Sequence, residues 1–188
     1  MDYPFAPRMD SRIELTGVYN SATGKTEWTL PFNDTTIDSV LLGNDFGALA
    51  GLVVPVQSVS HGLAFAVGRY NAGPCLLGRR FTANIDLTRP FRRDQNNHAI
   101  LGDRLQMQLV QTAHSNTGAY SVVASMPNRT DRTREYNPTG LIEESGSFRV
   151  PMNGDTKTMQ LSIQSDSPLP FTIASVDYTA EVAVKAGT

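Results

Sequence analysis

The chain has 188 residues, of which 40% are hydrophobic and 18% charged, a balance that belongs to globular proteins and excludes a disordered acidic or basic chain. Its one cysteine, Cys75, excludes both an intramolecular disulfide and a cysteine zinc site, and its longest nearly apolar stretch, residues 48–56, falls far short of the roughly 20 residues of a membrane helix. A net charge of −2 is opposite in sign to that of a typical nucleic-acid-binding domain.

From the amino terminus onward the dominant pattern is two-residue alternation. Met1-Asp2-Tyr3-Pro4 lacks the basic start and apolar run of a secretory signal, so cytoplasmic synthesis is expected. Residues 12–18, 25–30, 37–42, 62–68 and 80–88 are rich in Val, Ile, Thr and aromatics and predict strands. Leu105, Met107 and Leu109 alternate with Arg104, Gln106 and Gln108, and residues 119–124 follow as another strand. Residues 126–147, with Pro127, Pro138 and Gly140, have no clean period and predict a long loop. Met159, Leu161 and Ile163 again alternate with polar residues. In the last strand, 171–184, the apolar set moves from odd to even positions near Ala174-Ser175, which predicts a β-bulge there. Turn clusters at 20–24, 33–34, 71–74, 115–118 and 153–155 separate these segments, and several neighbours should form hairpins.

The expected fold is therefore all-β: one β-rich unit over residues 1–188, an antiparallel β-sandwich or barrel-like arrangement of two packed sheets with long loops. The alternation assigns the core to Ile13, Leu15, Trp28, Leu30, Phe65, Phe81, Ile85, Leu105, Met107, Leu109, Leu161, Ile163, Phe171, Ile173, Val176 and Tyr178.

Candidate chemistry is sparse. Gly24-Lys25-Thr26 imitates a phosphate loop, but the glycine that motif requires upstream is Tyr19, and the following residues continue as a strand. Asp94 and His98 flank a polar loop whose composition turn formation explains. Cys75 has no neighbouring His or Lys to activate it. Carboxylates pair as Glu143-Glu144, Asp34 with Asp38, and Asp10 with Glu14, so glycosidase-type chemistry is a possible class; adjacent glutamates on a strand, however, point to opposite faces. No catalytic group, cofactor site or metal site is assigned.

Charge is distributed unevenly. Residues 1–68 and 135–188 each carry −4, leaving +6 on residues 69–134, and thirteen of the sixteen cations are arginine. Arginine's planar fork suits fixed pairing at interfaces. This assigns a subunit interface to Arg89, Arg92, Arg93, Arg129, Arg132, Arg134, Glu143 and Glu144, with arginines of one copy meeting acids of the next in a homo-oligomer.

Several motifs together resemble one family. They are Asp2-Tyr3-Pro4, Leu15-Thr16-Gly17-Val18-Tyr19, Thr26-Glu27-Trp28-Thr29-Leu30-Pro31-Phe32 and Arg89-Pro90-Phe91. Gly102-Asp103-Arg104-Leu105-Gln106, Thr117-Gly118-Ala119-Tyr120 and Ser167-Pro168-Leu169-Pro170-Phe171-Thr172-Ile173 complete the set. In this order they are similar to the carboxy-terminal portion of tail tubular protein B, the tail nozzle family of short-tailed, podovirus-type bacteriophages. The resemblance implies a structural virion protein made in the bacterial host cytoplasm, a hexameric ring in the phage tail, contacts with tail adaptor and tail fibre proteins, and a lower tail channel through which genomic DNA passes without sequence-specific binding. It implies no catalysis. The alternative class is a carbohydrate- or receptor-binding β-sandwich tail module presenting Trp28, Tyr70, Tyr120 or Tyr136 on a concave face. A third is a glycan-cleaving enzyme using two carboxylates.

Overall fold

The computed structural model describes residues 6–100 and 104–183. Asp2-Tyr3-Pro4 and Gly102-Asp103, singled out above, and residue 184 at the end of the last expected strand lie outside the described residues. The protein is all-β, with 57% strand and 3% helix, and the chain divides into two compact units.

The first unit comprises Met1–Phe81 with Asp166–Pro170. Its strands are β1 (Asp10–Thr16), β2 (Val18–Asn20), β3 (Lys25–Thr29), β4 (Ser39–Leu42), β5 (Val53–Pro55), β6 (Ser58–Ser60), β7 (Leu63–Val67) and β8 (Pro74–Arg79). They form two antiparallel four-stranded sheets, β1-β8-β4-β5 and β2-β3-β7-β6. A 3-10 segment, Asn44–Leu49, links β4 to β5. The ladder places Ile13, Leu77 and Val40 in one row and Leu15, Cys75 and Leu42 in the next. From the other sheet Trp28, paired across the ladder with Ala64, joins the same core. Two small residues, Ala64 and Ala66, leave room for an indole that is fully buried.

The chain passes from the first sheet to the second at Gly17, between β1 and β2. A Cβ there would lie 2.4 Å from Thr26 Cγ2 and 2.8 Å from Trp28 Cε2, so only glycine lets the backbone cross over the core at this point. The tempting Gly24-Lys25-Thr26 is instead the end of a hairpin turn: Gly24, with φ of 67°, donates its N–H to Asn20 O, and Lys25 begins β3.

Cys75 is buried on the central strand β8. Burial pushes its thiol up to about 12, with the Trp28 indole pulling weakly the other way. The native thiolate fraction at neutral pH is therefore expected to be about a thousandfold below that of the unfolded chain. A thiol reagent should label Cys75 only after denaturation, and labelling at equal rates with and without denaturant would overturn this.

The second unit comprises Thr82–Ser165 with Phe171–Thr188. Its strands are β9 (Ala83–Leu87), β10 (Arg92–Arg93), β11 (Ala99–Ile100), β12 (Arg104–Thr117), β13 (Tyr120–Ser125), β14 (Arg132–Tyr136), β15 (Glu143–Asp155), β16 (Gln160–Ser165) and β17 (Ile173–Ala183). A three-stranded sheet, β15-β12-β17, and a four-stranded sheet, β14-β13-β16-β9, enclose the second core; β10 and β11 make a small separate hairpin. That core is built on Met107, Val110, Val122, Val150 and Ile163, all essentially buried.

Two register shifts shape β12. One, between Met107 and Leu109, leaves Gln108 as an extra residue against β17, while on the other side β15 sets two residues, Met152 and Asn153, against it, so the inward set runs Leu105, Met107, then Val110, Thr112 and His114. Leu109, assigned to the core by simple alternation, is only half-buried for this reason. The other skips Ala174 opposite Ala113 and His114, which is the bulge expected from the change of parity in the last strand. Phe81, Ile85 and Tyr178 are corrections to the expected core, being 40%, 39% and 52% exposed. Ile85 and Tyr178 do face inward but sit on edge strands that the opposite sheet does not cover. Residues 126–147, expected as a loop, contain β14 and the start of β15.

Candidate functional site

The clearest concentration of polar chemistry lies inside the second unit, where β12, β13, β14 and β15 meet. The shift at Gln108 turns Thr112 and His114 inward. Tyr120 faces them from β13, and its hydroxyl is 2.6 Å from Thr112 Oγ1 and 3.0 Å from His114 Nδ1. Tyr136, on β14, stacks at 4.5 Å on the His114 ring and 4.9 Å on the Tyr120 ring. Its hydroxyl donates to Glu143 Oε2, and the same carboxylate oxygen stands 3.9 Å from His114 Nε2. Burial holds the Tyr120 phenol above its ordinary value, against the hydrogen bond from Thr112 and with help from the Glu143 charge. Gly146 closes the cluster, since a Cβ there would fall 2.6 Å from His114 Nε2 and 2.7 Å from Glu143 Oε1.

A carboxylate, an imidazole and two phenols in a row could pass a proton. Here, however, the His114 side chain is wholly buried and Tyr120 is 3% exposed, which leaves no room for a substrate on the imidazole. The cluster works as a hydrogen-bonded clamp across the two sheets. No sequence motif singles out His114. A weaker signal is present, because Val110, Thr112 and His114 join the face of Leu105 and Met107 once Gln108 is counted as a bulge.

The remaining carboxylate pairs are also occupied structurally. Asp10 pairs with Arg79 at 3.3 Å and Asp38 with Arg80 at 3.6 Å. Asp34 accepts bonds from the hydroxyl and backbone N–H of Thr36, which hold its carboxyl below the ordinary value. Glu143 is half-buried and Glu144 exposed, as expected for adjacent residues on a strand. The Asp94 carboxylate receives the backbone N–H groups of Asn96 and His98 and so forms the turn between β10 and β11. Among the described residues, no group of three or more His, Cys, Asp or Glu side chains converges as metal ligands would, and no helix is long and apolar enough to cross a membrane.

Of the residues assigned to an interface, Arg89, Arg92, Arg93, Arg129, Arg132 and Arg134 are all exposed. Arg93 lies over the Phe91 ring at 5.2 Å and donates to Asn97. Arg89 lines a mainly apolar hollow of about 340 Å³ with Pro90, Phe91, Ile100, Leu105, Thr156 and Lys157. Arg129 lines a more polar one of about 460 Å³ with Gln106, Asn153 and Asp155. Arg132 and Arg134 stand on the edge strand β14. The structure thus distributes these arginines over three places, and only Glu143 of the set enters the buried cluster. Trp28 and Tyr120, required on a concave face by a carbohydrate-binding module, are buried in separate units, and Tyr70 and Tyr136 pack as partly buried members of those two cores.

Comparison with known proteins agrees with a structural role. The family model described as bacteriophage nozzle protein matches residues 2–187. No curated protein matches the chain.

Proposed function

Since the chain belongs to the bacteriophage nozzle protein family, and is thereby a structural component of the phage tail, we propose that it forms part of the lower tail channel through which the genome leaves. The family match over nearly the whole chain carries this reading. In it, copies of the chain assemble as a ring, hexameric by resemblance, made in the host cytoplasm and joined to tail adaptor and tail fibre proteins. The work is mechanical and no reaction is catalysed. DNA passes without sequence-specific contact, and a neutral or mildly acidic wall keeps phosphates moving by repelling them over a Debye length of roughly 8 Å.

The exposed arginines are assigned to contacts between copies, together with Glu143 and Glu144. Arg89, Arg129, Arg132 and Arg134 have no ion-pair partner among the described residues, which is the condition of cations held for another chain. Exposed ion pairs are individually worth only about 0–1 kcal/mol, so apolar contacts supply most of the affinity and the charges set register. Replacing Arg89, Arg92 and Arg93 together with alanine is expected to lower incorporation of the chain into tails, scored by electron microscopy of virions at low and moderate salt. Normal incorporation in both conditions would remove these three from the interface. Absence of the chain from tails labelled with a specific antibody would remove the nozzle reading itself.

A further inference from the structure

The second unit has two flanks of different character. Tyr136 of β14 stacks at 5.6 Å on Phe148 of β15, so β14 and β15 share one flank, and the sheet orders put β9 and β17 on the other. Among the described residues, each of β14 and β17 pairs with another strand on one side only. At β17 the ladder sets Tyr178 opposite Val110 and Val182 opposite Leu105, which makes both inward-facing, yet they are 52% and 38% exposed. An eleven-residue edge with uncovered apolar side chains is a template for another strand. On its outer face it carries Asp177 and Glu181, both exposed.

Strand β14 is its counterpart. Arg132 lies opposite Ala124 and Arg134 opposite Val122, both fully buried, so the two arginines project from the inward face of a strand whose every residue but Tyr136 is exposed. The one acid on this strand, Glu135, lies on the other face. From this pairing of edges we propose that β14 of one copy pairs with β17 of a second copy, joining the four-stranded sheet of the first to the three-stranded sheet of the second. The proposal rests on the tail-ring reading above and names the strands that make the ring contact.

Geometry selects the arrangement. If the two sandwiches lie on opposite sides of the joined sheet, the inward face of β14 is continuous with the outer face of β17. Arg134 placed opposite Asp177 in an antiparallel ladder then puts Arg132 opposite Thr179 and diagonal to Glu181, within reach of a long side chain. The contact joins two different surfaces, so a pair of copies keeps one free edge of each kind and the series continues until it closes on itself.

The test reverses charge on one edge at a time in the full chain. Arg132→Glu with Arg134→Glu spoils the β14 edge; Asp177→Arg with Glu181→Arg spoils the β17 edge. Like charges across a contact cost several kcal/mol, so each variant alone should associate about a hundredfold more weakly than wild type, by light scattering over a wide concentration range at low salt. An equimolar mixture of the two should associate as wild type does, because every contact in an alternating series is again between opposite charges. Recovery in the mixture also shows that both variants are folded. Unchanged association of either variant, failure of the mixture to recover, or a wild-type chain that stays monomeric throughout would overturn the strand pairing. The nozzle reading falls separately, by absence of the chain from labelled tails.

Discussion

Replacing Trp28 with alanine is expected to remove the cooperative unfolding of the first unit at physiological temperature. The indole is fully buried at the centre of that core, and truncating a buried tryptophan or phenylalanine costs about 3–5 kcal/mol against a total of about 5–15 for a domain. The neighbours that would have to collapse into the gap are poorly suited to it. Ala64 and Ala66 have no side chain to extend, and Gly17 opposite has none at all. Scanning calorimetry should show the transition of this unit lost or shifted far down, with that of the second unit retained. Since Trp28 is the only tryptophan, wild-type indole fluorescence reports the first unit alone. An alanine variant melting within a few degrees of wild type would show that the core is not organised on this side chain.

The second large effect is expected from one oxygen. Tyr120→Phe keeps the ring and its contacts with Tyr136, Phe148 and Phe171 but removes the hydroxyl shared by Thr112 and His114. A buried polar group left without its partner costs about 1–3 kcal/mol; two are affected, although Thr112 keeps a weak bond to Phe148 O at 3.4 Å. Chemical denaturation should therefore show a loss of about 2–4 kcal/mol. Adding Thr112→Val should recover part of it, because the apolar pair no longer holds an unmet hydroxyl, and the double-mutant cycle measures that coupling. A Tyr120→Phe variant as stable as wild type would mean that the clamp contributes little beyond its ring packing.

How much of this was legible depends on what each strand faces. Strands β3, β7 and β13 alternate buried with partly exposed residues, so their periodicity could be read directly, and β16 could be read from its alternating polar and apolar residues although Ser162 is buried as well. The bulge at Ala174 was legible because bulges leave a parity change among apolar residues. Strand β8 escaped notice although it is central to its sheet. Cys75, Leu76, Leu77 and Gly78 are all buried, and a strand buried on both faces shows no alternation, while Gly73-Pro74 before it resembles a turn. Strand β15 was hidden by Gly146, Pro151 and Gly154, each tolerated because β15 is an edge strand and its register shifts between Met107 and Leu109, opposite Pro151. The aromatic cluster was beyond reach because its members come from four strands. The linear charge blocks were a partial guide: Arg79 and Arg80, counted with the basic middle, spend their charge on Asp10 and Asp38 within the same unit, whereas Arg89, Arg129, Arg132 and Arg134 have no ion-pair partner among the described residues.

The first unit is built from two separate stretches of chain, with Asp166–Pro170 returning to it after residues 82–165 have formed most of the second. There the Pro168 carbonyl accepts the N–H of Arg8 at 2.7 Å. On the ribosome, where synthesis proceeds at about 5–20 residues per second, Arg8 waits roughly 8–32 seconds for that partner, until β16 has already been made. The unit begun first therefore waits for residues made after β16. A product that ends within residues 82–165 therefore lacks the carbonyl that receives the Arg8 N–H, and its first unit is one stretch short.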